Sequence, residues 1–157
     1  MTASKLHIKP VTQNRDIPFD LLELADPSRS HINEYLKTGT CYVAKLDTKI
    51  VGVLVLDEID STRIEIKNIA IVESEQGEGL GKELLRHSEI ISRESGYEKL
   101  VIATGNSSIG QLALYQKEGF GIKEIDRDFF IRNYTEPIFE NGIQCKHKII
   151  LEKDLKS

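Results

Sequence analysis

The residues best suited to chemistry lie in a short stretch where glycine occupies three of the five positions 77–81. A strand pattern over residues 64–72 precedes it, and an amphipathic helix pattern begins at Leu80. Glycine allows a tight turn and lets a ligand come close to the backbone. The first amides of a helix lack internal acceptors and carry partial positive charge. The stretch therefore predicts a binding site for an anion.

The spacing of this stretch distinguishes between anion-binding motifs. A Walker A loop would need glycine at the position of Gln76 and Ser or Thr at the position of Glu83. A Rossmann fingerprint would need its third glycine at Lys82. The pattern Gln/Arg-x-x-Gly-x-Gly/Ala is matched by Gln76, Gly79 and Gly81. On these residues the chain resembles the GNAT family of N-acetyltransferases, whose loop binds the pyrophosphate of acetyl-CoA. An ordinary glycine-rich turn between a strand and a helix is the competing interpretation.

A second block, Leu112 to Phe120, is similar to the GNAT segment Ala-x-x-Leu-Tyr-x-Lys-x-Gly-Phe and follows at the family's usual distance. With the order of the strands, the resemblance covers roughly residues 5–153. It implies acyl transfer, in which a neutral nucleophile attacks a thioester and the tetrahedral intermediate expels a thiolate. In the family, a tyrosine aligned with Tyr115 protonates that sulfur, and a phenol is protonated at neutral pH. A tyrosine that only packs in the core is the alternative.

The resemblance also implies how acetyl-CoA, the acetyl donor, is held. Strand backbone near Ala70 would pair with the pantetheine arm, in a splay between the fourth and fifth strands. The amides of the glycine loop would hold the pyrophosphate, with the Gln76 side chain assisting. The residues expected to contact the cofactor are Ile69, Ala70, Ile71, Gln76, Gly77, Glu78, Gly79, Leu80, Gly81, Lys82, Asn106 and Ser108.

Some of these positions allow a second interpretation. Many family members have an asparagine seven residues before the tyrosine, where this chain has Ser108, with Asn106 two residues earlier. Either can contact the pantetheine, and either can instead cap the following helix. Lys82 adds a cation or is simply a solvated helix lysine. Glu78 departs from a pattern in which the variable loop positions are basic, which leaves the amides as the main binder.

The general base and the acceptor site are predicted from fewer signals. Glu65 is the first candidate for the base, because a family carboxylate in this region often acts directly or through water; a solvent-facing strand glutamate is the alternative. A long loop, residues 132–142, is rich in aromatic rings and carboxylates, which suit an amine. The candidate acceptor-binding residues are Tyr134, Glu136, Phe139 and Glu140. His147 lies on the apolar phase of its strand and is interpreted as a hydrogen-bonded core histidine. We expect no metal.

The elements around these residues predict an α/β fold. Three strands ending near Val72 should form an antiparallel meander after two short helices, which follow a first strand near Ile8. The apolar run 100–103 is typical of a buried strand reached by a crossover, and alternation resumes from Ile143. The expected fold class is a single-domain GNAT-like fold, residues 1–157, with a mixed central sheet of about seven strands and about four helices, splayed between the fourth and fifth strands.

Composition limits the partners. The chain has 157 residues, 39% hydrophobic and 29% charged, with a formal net charge of −4 and no basic run, so nucleic acid is not expected. No apolar run is long enough to span a bilayer, so no membrane partner is expected. Residues 1–5 lead into no apolar signal core, and Cys41 and Cys145 lack metal-ligand spacing, so we expect a cytoplasmic location. The resemblance adds a possible homodimer.

The expected function is an acetyl-CoA-dependent N-acetyltransferase that moves the acetyl group to a small amine by direct attack in a ternary complex. Three alternatives stay open. The first is a non-catalytic sensor that binds acetyl-CoA, the second a protein or peptide N-acetyltransferase, and the third a regulatory module that binds a nucleotide or phosphate on the same glycine turn.

Overall fold

The computed structural model describes residues 6–156. Residues 1–5, on which the expectation about a signal segment rests, lie outside that range, as does Ser157. The strands are β1 (His7–Pro10), β2 (Thr40–Leu46), β3 (Lys49–Glu58), β4 (Arg63–Ile71), β5 (Lys99–Gly105), β6 (Gly121–Asp126), β7 (Phe139–Glu140), β8 (Ile143–Gln144) and β9 (Lys148–Asp154). The helices are α1 (Phe19–Ala25), α2 (Arg29–Leu36), α3 (Leu80–Glu94), α4 (Ile109–Lys117) and α5 (Phe129–Asn133).

Seven of the strands form one mixed sheet in the order β1-β2-β3-β4-β5-β9-β6. The strands β1 to β4 pair antiparallel in sequence order, which confirms the predicted meander. The strand β5 then lies parallel to β4 after the α3 crossover. The strand β9 enters antiparallel between β5 and β6. The predicted α/β fold with a mixed seven-stranded sheet is therefore confirmed.

The sheet is covered on both faces, and β3 demonstrates this by its alternation. Leu54 and Leu56 belong to a core cluster with α3 and α4, whereas Val53 and Val55 belong to a second cluster with α1 and α2. Successive strand side chains point to opposite faces, so the two clusters lie on opposite sides of the sheet. The apolar stripe predicted for the long helix is also observed: Leu80, Leu84 and Leu85 are buried in the first cluster, and Ile91 packs against it.

The region after β6 differs from the sequence prediction. The long loop predicted over residues 132–142 instead contains the end of α5 and the strand β7 of a small hairpin. The alternating segment from Ile143 is not one strand, because its first part pairs with β7 and its second part joins the main sheet as β9. Short elements of two to five residues carry too few periodic positions to be recognised from sequence.

Candidate active site

An opening lies between β4 and β5, and it confirms the predicted splay. The two strands are paired only over Arg63–Ile66 and Lys99–Ile102. Beyond these residues β5 stays paired with β9, while β4 keeps only β3 as a neighbour. The backbone groups of residues 67–71 that face β5 therefore lack a strand partner. Because backbone groups require hydrogen bonds, this edge can pair with amide groups of a ligand.

A cavity of about 300 Å³ occupies this opening. Its walls come from β4, the glycine turn, α3 and α4, with Leu24 and Ala25 of α1 at one side. Tyr115 lines it, together with six of the residues expected to contact acetyl-CoA: Ile69, Ala70, Ile71, Gln76, Gly77 and Gly81. The sequence-predicted strand edge, loop and tyrosine are thus brought together around one cavity, which we call the donor groove.

The glycine turn has a backbone that favours glycine at two positions. Gly77 has φ 85° and Gly79 has φ 81°, both in the left-handed region, and a Cβ at either position would meet no atom within 4 Å. The need for glycine here therefore comes from backbone conformation and not from crowding within the protein. The Gln76 side chain donates to the Ile71 carbonyl oxygen at 2.9 Å. This bond ties the turn to the end of β4.

The turn leaves the amides at the start of α3 open. Gly79 is the N-cap and has no side chain that could accept from them. The first amide of the helix with an intrahelical hydrogen bond is that of Glu83, which donates to the Gly79 carbonyl oxygen at 3.1 Å. The amides of Leu80, Gly81 and Lys82 precede it, and the helix dipole adds positive potential there. Of the remaining predicted loop residues, the Glu78 and Lys82 side chains are exposed.

Tyr115 reaches the donor groove from α4. Its side chain is only 6% exposed and packs in the core cluster beside Phe120. Burial raises the pKa of Tyr115 to about 12, and no hydrogen bond from residues 6–156 contributes to that shift. A phenol with this pKa keeps its proton throughout the neutral range, so the group is a proton donor and not a base.

Asn106 and Ser108, the two candidate pantetheine contacts, are both engaged with the β7–β8 region. The Asn106 side chain accepts from the amides of Lys146 (2.7 Å) and His147 (2.9 Å) and donates to the Gln144 carbonyl oxygen (3.1 Å). Ser108 donates to Glu140 at 2.7 Å and is the N-cap of α4 without a side-chain capping bond. Neither residue is among those lining the donor groove.

A second cavity of about 540 Å³ lies on the other side of the β4–β5 separation. We call it the acceptor cavity. Five carboxylates line it, against two lysines and one histidine: Asp26, Glu34, Asp57, Glu65 and Glu140, with Lys67, Lys148 and His31. An aromatic wall is formed by Phe129, Phe130 and Tyr134, whose neighbouring rings lie 5.0 and 5.5 Å apart. The cavity is therefore suited to a cation that also has apolar surface.

Glu65, the candidate base, points into the acceptor cavity from β4. Its carboxylate is 13% exposed and lies 2.9 Å from the Lys67 ammonium. The β3–β4 register shifts at this point, since Val55 pairs with Asn68 and Leu56 pairs with Ile66. Lys67 is thus the extra residue of a β-bulge, which bends β4 where β5 departs. The sequence did not indicate that Glu65 would have a lysine partner, because a bulge leaves no regular pattern.

A polar network that sequence analysis missed joins α1, α2 and the segment after α5. Tyr134 donates to Asp26 Oδ1 at 2.8 Å, and the Ser28 amide donates to the same oxygen at 3.0 Å. Tyr35 donates to Asp26 Oδ2 at 3.5 Å and accepts from the Asn68 amide group at 2.8 Å. Burial, assisted by the Asp26 carboxylate, raises the pKa of both tyrosines, so both hydroxyls remain donors. In the sequence Asp26 was visible only as part of a helix-ending Asp-Pro pair.

Of the four predicted acceptor residues, Tyr134 and Glu140 line the acceptor cavity, whereas Glu136 and Phe139 are exposed outside it. His147 is half-buried and its Nδ1 accepts from the Asp128 amide at 2.9 Å, as expected of a hydrogen-bonded histidine. Within residues 6–156, no group of three or more His, Cys, Asp or Glu side chains is arranged to hold a metal ion. None of the helices in the same range is long and apolar enough to cross a membrane.

Several known proteins resemble this chain over most of its length. The profile of the acetyltransferase (GNAT) family matches residues 11–120. The uncharacterized N-acetyltransferase YvbK of Bacillus subtilis (strain 168) is 46% identical over 99% of this chain and 100% of that protein. A GNAT family acetyltransferase from Elizabethkingia anophelis, solved with acetyl-CoA bound, is 48% identical, with 95% and 97% of the two chains covered and a TM-score of 0.93. A Bacillus subtilis acetyltransferase solved in complex with CoA is 47% identical, with 96% and 99% covered and a TM-score of 0.90.

Proposed function

This chain belongs to the acetyltransferase (GNAT) family, and we propose that it moves the acetyl group of acetyl-CoA to a small primary amine by direct attack in a ternary complex. The observation that carries the proposal is the pair of cavities on either side of the separated strands, which share Ala25 in their walls. One cavity has the features of a donor site and the other is lined by carboxylates, so donor and acceptor can meet without a covalent enzyme intermediate.

The donor groove fits acetyl-CoA on two counts. The unpaired edge of β4 offers backbone groups to the amides of a pantetheine arm. The glycine turn offers the open amides at the start of α3 to a pyrophosphate. When bound, acetyl-CoA supplies the acetyl group as a thioester. Gln76 acts by holding the turn against Ile71, which differs from the direct assistance expected from sequence.

Tyr115 holds the proton for the departing thiolate in this proposal. Tyr115 lines the donor groove, and burial raises its pKa to about 12, so the proton is present at any neutral pH. The burial that raises the pKa also limits the access of water to the hydroxyl. An anion formed there would gain more from a positioned donor than it would in bulk solvent.

The acceptor cavity supports an amine because its charge is mostly negative. An amine enters as an ammonium ion and must lose a proton before it attacks. Glu65 is the proposed base, and Lys67 holds its carboxylate at the end of the paired part of β4, just before the strands separate. The cavity is bounded by the aromatic wall and by Glu140, which Ser108 holds at 2.7 Å. Its volume of about 540 Å³ is in the range of sites that bind small molecules, which supports a small acceptor.

We further propose a single domain over residues 1–157, a cytoplasmic location and a homodimer. The two cysteines support a reducing compartment, since both are free and buried, and burial raises the pKa of each thiol. The homodimer rests on the family resemblance alone. Sedimentation velocity at several protein concentrations would test it, and a single species at 17.7 kDa would refute it.

The experiment that tests the function measures CoA thiol release from acetyl-CoA with a panel of acceptors. The panel contains spermidine, L-lysine, an aminoglycoside and a peptide with a free N-terminus. Acetylation of one or more small amines is expected. Acetylation confined to the peptide would favour a protein N-acetyltransferase, and tight acetyl-CoA binding without any turnover would favour a sensor. Stabilisation by ATP alone in a thermal-shift assay would contradict acetyl-CoA binding.

A further inference from the structure

We propose that Asp26 is a specificity-determining residue that binds the ammonium group of the acceptor, an inference that rests on the proposed small-amine function. Asp26 lies at the turn between α1 and α2, and its side chain lines the acceptor cavity. Its neighbour Ala25 lines both that cavity and the donor groove. Asp26 is therefore next to the junction of the two cavities, so an ammonium ion bound to it would lie close to the donor groove.

The position of Asp26 relative to β4 supports this role. Tyr35 connects the Asp26 carboxylate to Asn68, which is buried in β4. Asn68 follows the last residues of β4 that pair with β5, and it precedes Ile69, which lines the donor groove. The network thus places the carboxylate at the level where the strands separate. Glu65, in contrast, still pairs with Val101 below that level.

The two oxygens of Asp26 are used unequally. Oδ1 accepts two bonds of 2.8 and 3.0 Å, from the Tyr134 hydroxyl and the Ser28 amide. Oδ2 has one long contact of 3.5 Å with the Tyr35 hydroxyl. A carboxylate has about four acceptor positions, so Oδ2 retains capacity for a further donor. The short bonds at Oδ1 fix the orientation of the group, which lowers the entropy lost when a ligand binds.

Asp26 also lacks a cation of its own. No lysine, arginine or histidine of residues 6–156 forms an ion pair with it, whereas Glu65 is paired with Lys67 and Glu34 with Lys37. A half-buried carboxylate without a cationic partner is costly, and a bound ammonium would offset that cost. The ring of Tyr134, whose hydroxyl donates to Asp26, adds aromatic surface that also attracts a cation.

The test is Asp26→Asn, which keeps the size of the side chain and removes its charge. With the best small amine of the panel as the probe, KM for the amine should rise by about 10- to 100-fold, while kcat changes less and the acetyl-CoA Kd stays within about twofold. The wild-type KM should rise with salt because charges attract, and this salt dependence should be weaker in the variant. A purely structural role would not weaken the salt dependence.

Glu23→Gln is the matched control, because Glu23 lies on α1 near Asp26, is paired with Arg29 at 3.0 Å and lines neither cavity. It should keep the wild-type KM and salt dependence. A second variant, Tyr134→Phe, retains the charge of Asp26 and should raise KM by less than tenfold. Unchanged amine KM in Asp26→Asn, or an equal loss of acetyl-CoA affinity, would overturn the inference while leaving the proposed function standing. Failure of the wild type to acetylate any amine would overturn both.

Discussion

Replacing Gly79 by valine separates the anion-binding role of the glycine turn from its role in folding. Gly79 has φ 81°, a conformation that costs an L-residue about 1–2 kcal/mol, and β-branching adds to the strain. A Cβ there would meet no protein atom within 4 Å, so the protein leaves room for the side chain, and the group it could obstruct is a ligand at the adjacent amides of α3. We expect a folded but destabilised protein that binds acetyl-CoA poorly.

The loss of affinity can be estimated from the amides. Hydrogen bonds from an amide to a charged oxygen contribute about 1.5–3 kcal/mol each. Displacing even one of them corresponds to about a 10- to 150-fold weaker Kd. Isothermal titration with acetyl-CoA measures this directly, and urea unfolding of the unliganded protein measures the strain separately.

Gly96, just after the other end of the same helix, offers a matched control. It has φ 92°, its Cβ would also meet nothing within 4 Å, and it lies beyond the C-terminal end of α3. That end is about 22 Å from the glycine turn, given 15 helical residues. Gly96→Val should therefore lose similar stability while keeping the wild-type acetyl-CoA Kd. Equal Kd values for the two variants would refute the assignment of residues 76–81 as the pyrophosphate site.

Three further predictions concern the hydroxyl of Tyr115, its pKa and the side chain of Asn106. Tyr115→Phe should lower kcat by about 10²-fold with little change in the acetyl-CoA Kd. The control is Tyr42→Phe, which should keep the wild-type kcat because Tyr42 is half-buried and lies outside both cavities. Equal kcat values for the two variants would mean that Tyr115 is only a packing residue. Because burial raises the pKa of Tyr115 from 10.0 to about 12, its contribution to stability is complete below pH 10 and is lost as the pH rises through 12. Between pH 8 and pH 10.5 the wild type should therefore lose more unfolding free energy than Tyr115→Phe, on the order of 1 kcal/mol, and an equal loss in the two proteins would contradict this. Asn106→Ala removes three side-chain hydrogen bonds and should lower the unfolding free energy by about 2–4 kcal/mol, whereas Asn106→Asp should lower it less because it keeps the two acceptor bonds. A weakened acetyl-CoA Kd in a folded Asn106 variant would support the pantetheine contact predicted from sequence.

The donor side of the molecule was largely predictable from the sequence because its signals are local. A strand, a glycine turn and an amphipathic helix follow one another over residues 64–94, and each carries its own periodicity. The splay was predicted from the family resemblance, and it is confirmed because β4 and β5 pair over only four residues. The exact use of Gln76 was not predictable, because its bond to Ile71 depends on how far the turn folds back.

The acceptor side was less predictable because its residues come from distant parts of the chain. Tyr134 and Asp26 are separated by 108 positions, and only the packing of α1 and α2 against the sheet brings them within 2.8 Å. The same limit applies to Asn106, whose three partners lie about 40 residues later. Neither contact has a periodic or motif signature. Sequence reasoning therefore selected the aromatic and acidic residues of the correct segment, yet two of the four, Glu136 and Phe139, lie outside the cavity.

In the proposed function, the difference between the two sides follows from what each must recognise. The donor groove has to hold a pyrophosphate and amide groups, which backbone atoms can do, so its requirements fall on glycines and on strand geometry. The acceptor cavity has to hold a group that only side chains can distinguish, and its polar atoms are fixed by contacts between α1, α2 and the segment after α5. Substitutions of Asp26 or Tyr134 in that network should therefore change the specificity for the amine without changing the affinity for acetyl-CoA. Titrating acetyl-CoA into the Asp26 variant measures that separation directly.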